Sequence, residues 1–304
     1  MTQLPQLQLG TAMWGWTMEK ETCFEILDHY YQQGFRKIDA ATNYPINKKP
    51  EDFRKSEQWL EEWITARQVT DLQITIKVGS INNMRSPDNN LSKSFLLMNL
   101  ADYQAKFGSN LKCFMIHWDN RPQAEAIQES LEVMKEAKNE NIDAGLSGIK
   151  HPEVYAPIAD ELGLNFEIQL KHNLLKSDLD RYKVFHEKAR FYCYGINAGG
   201  IKLDRAYYSK SSSLKARGGN IEEKSTIIDD VIKVKEDFNS KSSSYQLKQF
   251  NQLAMIFAAY NPLIKGILIG PSKLGQLKAT LEFHQQIGDI DFSKVYSQLK
   301  AIAL

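Results

Sequence analysis

Cysteine is scarce in this chain. Three occur in 304 residues, Cys23, Cys113 and Cys193, far apart and without a Cys-x-x-Cys pair. That argues against a disulfide framework or a thiolate zinc site, and it suits a reducing compartment. Long apolar runs are lacking as well: no stretch reaches the roughly 18 residues a membrane-crossing helix needs. The opening Met1-Thr-Gln-Leu-Pro5 has neither the basic nor the apolar region of a secretory leader. A cytoplasmic location is therefore expected. No sign of charge dominates. Lysine plus arginine number 38 and aspartate plus glutamate 37, so the net charge of +1 gives no reason to expect nucleic acid or an anionic membrane as partner. No Gly-x-Gly-x-x-Gly follows a strand, so the dinucleotide fingerprint of open α/β sheets is missing. Gly270 to Gly275 has the glycine spacing of a phosphate loop, but Gln276-Leu277 replaces its lysine and hydroxyl residue. His117 and Asp119 form a bare pair, and no metal is expected.

What is present is a rhythm. Short apolar runs alternate with longer amphipathic stretches, beginning with a strand over 7–11 and a helix over 21–33. Further strands are expected over 36–40, 72–78, 111–116, 142–147, 165–170, 191–194 and 266–269. Helices fall between them over 53–66, 91–107, 122–139, 151–161, 179–188, 246–259 and 274–286, and an extra helix over 292–302 closes the chain. The strands rarely alternate in polarity, as parallel strands buried on both faces should not. Eight such units predict one (β/α)8 barrel domain over 1–304, although an open doubly wound sheet has the same alternation. One segment breaks the pattern. After the seventh strand, from Tyr194 to Gln246, the chain is polar and serine-rich, with a helical stretch expected over 222–238. It reads as a solvated insertion or as a lid over the site.

In a barrel the chemistry sits at the strands' C-terminal ends. The second strand runs into Asp39 and Tyr44, the third carries Lys77, and the fourth ends in His117. Each has a plain structural alternative: a capping aspartate, a packed aromatic, a surface lysine, a core histidine. Lys77 fits its alternative worst. A lysine within Ile74-Thr-Ile-Lys77-Val needs a carboxylate, because a lone buried ammonium is costly, and Asp39 is the obvious partner.

These segments resemble those of the aldo-keto reductases. Gly34-Phe-Arg-Lys-Ile-Asp39-Ala-Ala-Thr-Asn-Tyr44 is similar to the signature in which aspartate and tyrosine stand five positions apart. Ile74-Thr-Ile-Lys77 is similar to the family's lysine strand, Phe114-Met-Ile-His117-Trp-Asp to its histidine strand, and Leu9-Gly-Thr11 with Trp14-Gly15 to its opening. The resemblance implies a barrel that transfers hydride between a nicotinamide cofactor and a carbonyl. Tyr44 would be the proton donor. A tyrosine's ordinary value of about 10 suits neutral pH poorly, and the Lys77 cation would lower it. Asp39 would hold Lys77, and His117 would orient the carbonyl oxygen.

The same resemblance implies cofactor contacts. Tyr194 would stack on the nicotinamide, and Gln169 and Ser147 would hold its carboxamide. Gly148 stands where the family's turn usually has asparagine. Gly199, Gly200 and Lys202 would lie at the pyrophosphate. Gly270, Ser272, Lys273 and Gln276 would lie at the adenosine phosphate, with Gln276 replacing a frequent arginine and Thr280 an asparagine. Lys273 favours NADP(H) over NAD(H). Trp14, Trp16 and Trp118 are expected to line an aromatic mouth for a small carbonyl substrate. The competing expectation is a cofactor-binding regulatory protein on the same fold, without turnover.

Overall fold

The computed structural model describes residues 4–203 and 225–303. Its elements follow one another as strand and helix. They are β1 (Gln6–Gly10), α1 (Lys20–Gln32), β2 (Lys37–Ala41), α2 (Lys55–Arg67), β3 (Gln73–Val78), α3 (Lys93–Phe107), β4 (Leu111–His117), α4 (Ala124–Asn139), β5 (Asp143–Ser147), α5 (Pro152–Leu162) and β6 (Phe166–Asn173). A two-residue β7 (Lys176–Ser177) then pairs back on β6, and β8 (Arg190–Tyr194), α6 (Ser225–Lys241), α7 (Phe250–Ala259), β9 (Ile264–Ile269), α8 (Leu274–Asp289) and α9 (Ser293–Ile302) complete the chain. The serine cluster at 210–213 and the start of the expected helix, 222–224, lie outside the described residues.

Eight of these strands close into a parallel barrel. The order β5-β4-β3-β2-β1-β9-β8-β6 is joined at its ends by β5–β6 pairing. Pairing of β1 with β9, Leu7 opposite Ile267 and Leu9 opposite Ile269, links the two ends of the sequence. That closure decides for the barrel over the open sheet, which would leave two strand edges unpaired. Outward strand residues such as Ile38, Ile74, Ile76 and Phe114 meet the helices in one hydrophobic core. α4 contributes Ile127, Leu131, Met134 and Ala137 at helical spacing. α7 buries Phe250 and every residue from Leu253 to Ala259, with α6 and α9 packed against it. A reciprocal cap between Gln249 and Gln252 starts it. No helix among the described residues is long and apolar enough to cross a membrane.

Three expectations need correction. The helix expected over 179–188 is a 3-10 stretch, Asp180–Phe185, kinked at Tyr182. Tyr182 leaves helical geometry there, with φ -97° and ψ 21°, and its hydroxyl meets the backbone of Ile149. The spacing of Phe24, Leu27 and Tyr31 sets them on one face of α1, but the helix buries Cys23, Ile26, Leu27 and Tyr30 and leaves Phe24 and Tyr31 partly exposed. The Tyr30 hydroxyl lies 2.9 Å from the carbonyl of Leu7 and 3.0 Å from that of Lys37, so its single proton is shared between two strands and ties the helix to both. α4 begins at Ala124, so Pro122 precedes the helix rather than starting it.

Candidate active site

The C-terminal ends of β2, β3 and β4 bring the four expected residues together. In register, Asp39 lies opposite Thr75, Ala41 opposite Lys77, and Lys77 opposite Met115. Side chains alternate along each strand, so Asp39 and Lys77 both turn into the barrel. The Lys77 ammonium donates to both carboxylate oxygens of Asp39 at 2.6 Å, and each side chain is only 2% exposed. Burial alone would push Lys77 down. Asp39 and Tyr44 outweigh it, so the lysine is held above its ordinary value and charged. The ammonium lies 4.9 Å from the centre of the Tyr44 ring and also engages the phenol oxygen.

His117 faces this group from β4, its ring at right angles to that of Tyr44 with centroids 6.2 Å apart. Burial, with the Lys77 charge added, drives its value well below that of a free histidine. The imidazole is therefore neutral at physiological pH. Its Nδ1 is buried without a hydrogen-bond partner among the described residues. A neutral imidazole in this position can donate a hydrogen bond to an oxygen without competing with Tyr44 for the proton.

The remaining expected residues separate into groups. Ser147 sits opposite His117 in the β4–β5 register, buried beside it. Tyr194 ends β8 close enough to feel the charges of Tyr44 and Lys77, and burial pushes its phenol up to about 12. Gln169 turns into the barrel. Its amide nitrogen donates to Asp39 at 2.6 Å, and its oxygen accepts from Lys77 at 3.1 Å. Gly148 is explained by packing. It has φ +68°, and a Cβ there would stand 2.5 Å from Cδ1 of Trp118. Trp118, itself left-handed at φ 62°, tilts against His117 at 4.5 Å and takes the space an asparagine side chain would need.

The three tryptophans part company. Trp118 belongs to the site. Trp16 is half-buried, and the guanidinium of Arg85 lies 4.9 Å over its ring. Trp14 is 1% exposed and belongs to the hydrophobic core, so it is a wall residue rather than a rim residue. Arg85 was not anticipated, because nothing local marks a loop arginine as reaching another loop's indole. Gln8 and Thr75 were not anticipated either, although a signal existed. Each is a polar residue in an apolar strand, as Lys77 is, and both are buried inside the barrel.

Two further clusters bear on a cofactor. After β8, Gly199 and Gly200 take φ of 89° and 101°, and the buried Oδ1 of Asn197 has no partner among the described residues. That backbone admits close approach, and the amide oxygen could accept from a ribose hydroxyl, so this loop fits the phosphate–ribose part of a dinucleotide. At the start of α8, Gln276 folds back to accept from the backbone and hydroxyl of Ser272. Gly270 has open space around it, and Lys273 is the N-cap residue of α8.

The sequence model of the aldo/keto reductase family matches residues 6–297. The chain belongs to the aldo/keto reductase family. It is 44% identical over 52 residues to norsolorinic acid reductase B of Aspergillus parasiticus, 17% of this chain and 12% of that protein. It is 29% identical over 107 residues to norsolorinic acid reductase B of Dothistroma septosporum, 33% of this chain and 26% of the other. A match to a Saccharomyces cerevisiae protein, 27% identical, spans 41% of this chain and 61% of that one. These matches thus cover less than two thirds of the curated relatives. The fold is similar to that of aldo-keto reductase AKR11C1 from Bacillus halodurans, with a TM-score of 0.69 over 99% of this chain and 93% of that one at 15% identity.

Proposed function

We propose that this aldo/keto reductase reduces an aldehyde, ketone or sugar carbonyl to the alcohol, with Tyr44 as proton donor and NADP(H) as preferred cofactor. The observation that carries this reading is the buried ammonium of Lys77, fixed by Asp39 beneath the Tyr44 ring. A bound nicotinamide would supply the hydride. The chain's own residues handle the proton and the developing charge. Tyr44 gives its proton to the carbonyl oxygen, and Lys77 stabilises the phenolate that remains. Asp39 keeps Lys77 charged and in place. Neutral His117 donates a hydrogen bond to the same oxygen as it gains charge. Ser147 and Tyr194 border the place where the nicotinamide would lie, and Trp16 and Trp118 would contact the substrate. Gly199, Gly200 and Lys202 would hold the pyrophosphate.

The adenosine end would rest on Ser272, Lys273 and the N-terminus of α8, which favours a phosphate. Lysine is a point charge without arginine's planar fork, so the preference for NADPH over NADH should be modest, about tenfold. Lys273→Glu should weaken NADPH binding far more than NADH binding in titrations of tryptophan fluorescence. Equal losses would remove Lys273 from that role. The test of the whole reading is NADPH oxidation across a panel of aromatic aldehydes, ketones and aldoses. Binding of NADPH without turnover on any carbonyl would replace it with a regulatory role.

A further inference from the structure

The carboxamide role that family resemblance assigns to Gln169 leaves its strongest contacts unexplained. Both ends of its amide are engaged inside the barrel, the oxygen by Lys77 at 3.1 Å and the nitrogen by Asp39 at 2.6 Å. The second N–H points down the barrel axis to Oε1 of Gln8 at 3.5 Å. Gln8 donates in turn to Oγ1 of Thr75 at 2.9 Å and to the carbonyl of Ile38 at 3.3 Å. Gln8, Thr75 and Gln169 are each at most 3% exposed. A glutamine amide rotates freely about its last torsion unless both of its ends are held. Lys77 and Asp39 hold the two ends of this one, and Gln8 adds a longer contact to its second N–H from below.

We propose that Gln169 is a positioning residue for proton transfer, bridging Lys77 and Asp39, and that Gln8 and Thr75 form the support that orients it. An acceptor on the ammonium and a donor on the carboxylate favour the charged form of both partners. They also fix where the ammonium sits relative to Tyr44. The titratable groups facing Lys77 are Asp39 from β2, Tyr44 from the loop after it, His117 from β4 and Tyr194 from β8. This inference rests on the proton-transfer reading of that group, and one of its tests does not depend on turnover.

Gln8 isolates the effect, because it lies beneath Gln169 and contacts no proposed cofactor residue but that one. Gln8→Met keeps the volume and removes the amide. In the full-length enzyme it should leave the NADPH Kd within about twofold. It should lower kcat about fivefold at unchanged KM, the equivalent of one ordinary hydrogen bond. The basic limb of the kcat profile should move to higher pH, because the cation that favours the phenolate is held less firmly. Independently of activity, the 13Cε resonance of Lys77, assigned by its loss in Lys77→Met, should titrate at lower pH in Gln8→Met than in the wild type. Thr75→Val should copy these changes and Thr75→Ser should restore wild-type behaviour. Wild-type kcat, pH profile and Lys77 titration in Gln8→Met would overturn the inference while leaving the Tyr44 reading intact. Absence of any turnover in the wild-type enzyme would overturn the Tyr44 reading, with the Lys77 titration still deciding the role of the bridge.

Discussion

The barrel holds the same trio of side chains at both of its ends. At the C-terminal end Lys77 pairs with Asp39 and lies 4.9 Å from the Tyr44 ring centre. At the floor Lys37 pairs with Glu167 at 3.1 Å and lies 4.8 Å from the ring centre of Tyr192. Both lysines are pushed down by burial and raised beyond that by their carboxylate and tyrosine. The surroundings differ. Tyr192 accepts from Lys37 at 2.8 Å and donates to Gln6 at 2.8 Å, so its hydroxyl is fully committed. Burial and Glu167 raise its phenol against the pull of Lys37. A second cation, Arg190, reaches Glu167 at 3.2 Å and Asp143 at 2.7 Å. The charged groups of the floor satisfy one another. The upper trio borders His117, whose Nδ1 has no partner among the described residues, and the loops that carry Trp16 and Trp118. A lysine–carboxylate–tyrosine set is therefore not a catalyst by composition. The proposed catalytic role rests on where the upper trio sits, at strand ends beneath variable loops.

The largest contrast should come from the two tyrosines. Tyr44→Phe should lower kcat by about a thousandfold or more while NADPH still binds, the scale of a lost general acid. Tyr192→Phe should leave kcat within about twofold. Comparable losses in the two variants, measured by NADPH oxidation, would mean that the floor contributes to catalysis and that the two trios do not differ in role.

A smaller but still large contrast is expected from the lysines in urea unfolding. Lys77→Met strands a fully buried carboxylate and should cost about 3–5 kcal/mol of stability. Lys37→Met should cost less, about 1–2 kcal/mol, because Glu167 keeps Arg190 and the site is partly open to solvent. If the order were reversed, the upper pair would not be the more isolated one.

The smallest effect concerns protons. His117 of the upper layer is neutral in the folded protein, with a value far below that of the unfolded chain. Its contribution to stability is therefore fully present above the unfolded value, about 6.5, and is lost as pH falls below it. His172 adds in the same direction, since burial takes it to about 4. Unfolding free energy should fall between about pH 7 and pH 5, and His117→Gln should flatten that decline. An unchanged slope in the variant would show that His117 is not the group taking up the proton.

Part of this architecture is legible in the sequence itself. The period of the apolar runs marks most of the elements, since helices and strands must each turn a stripe or face toward the core. A lysine inside an apolar strand demands a carboxylate, and Asp39 is that carboxylate. Spacing places Tyr44 just beyond the second strand. Other features depend on contacts between residues far apart in the chain. Barrel closure needs β1 against β9, and neither strand alone reveals whether its edge will be paired. The burial of Trp14, the inward turn of Gln169, the exclusion of an asparagine at Gly148 by Trp118, and the second trio at the floor all follow from which side chains meet inside a closed barrel. Sequence periodicity sets the face on which a residue lies. Only the closed sheet decides what stands opposite it, because those neighbours come from strands that other elements separate along the chain.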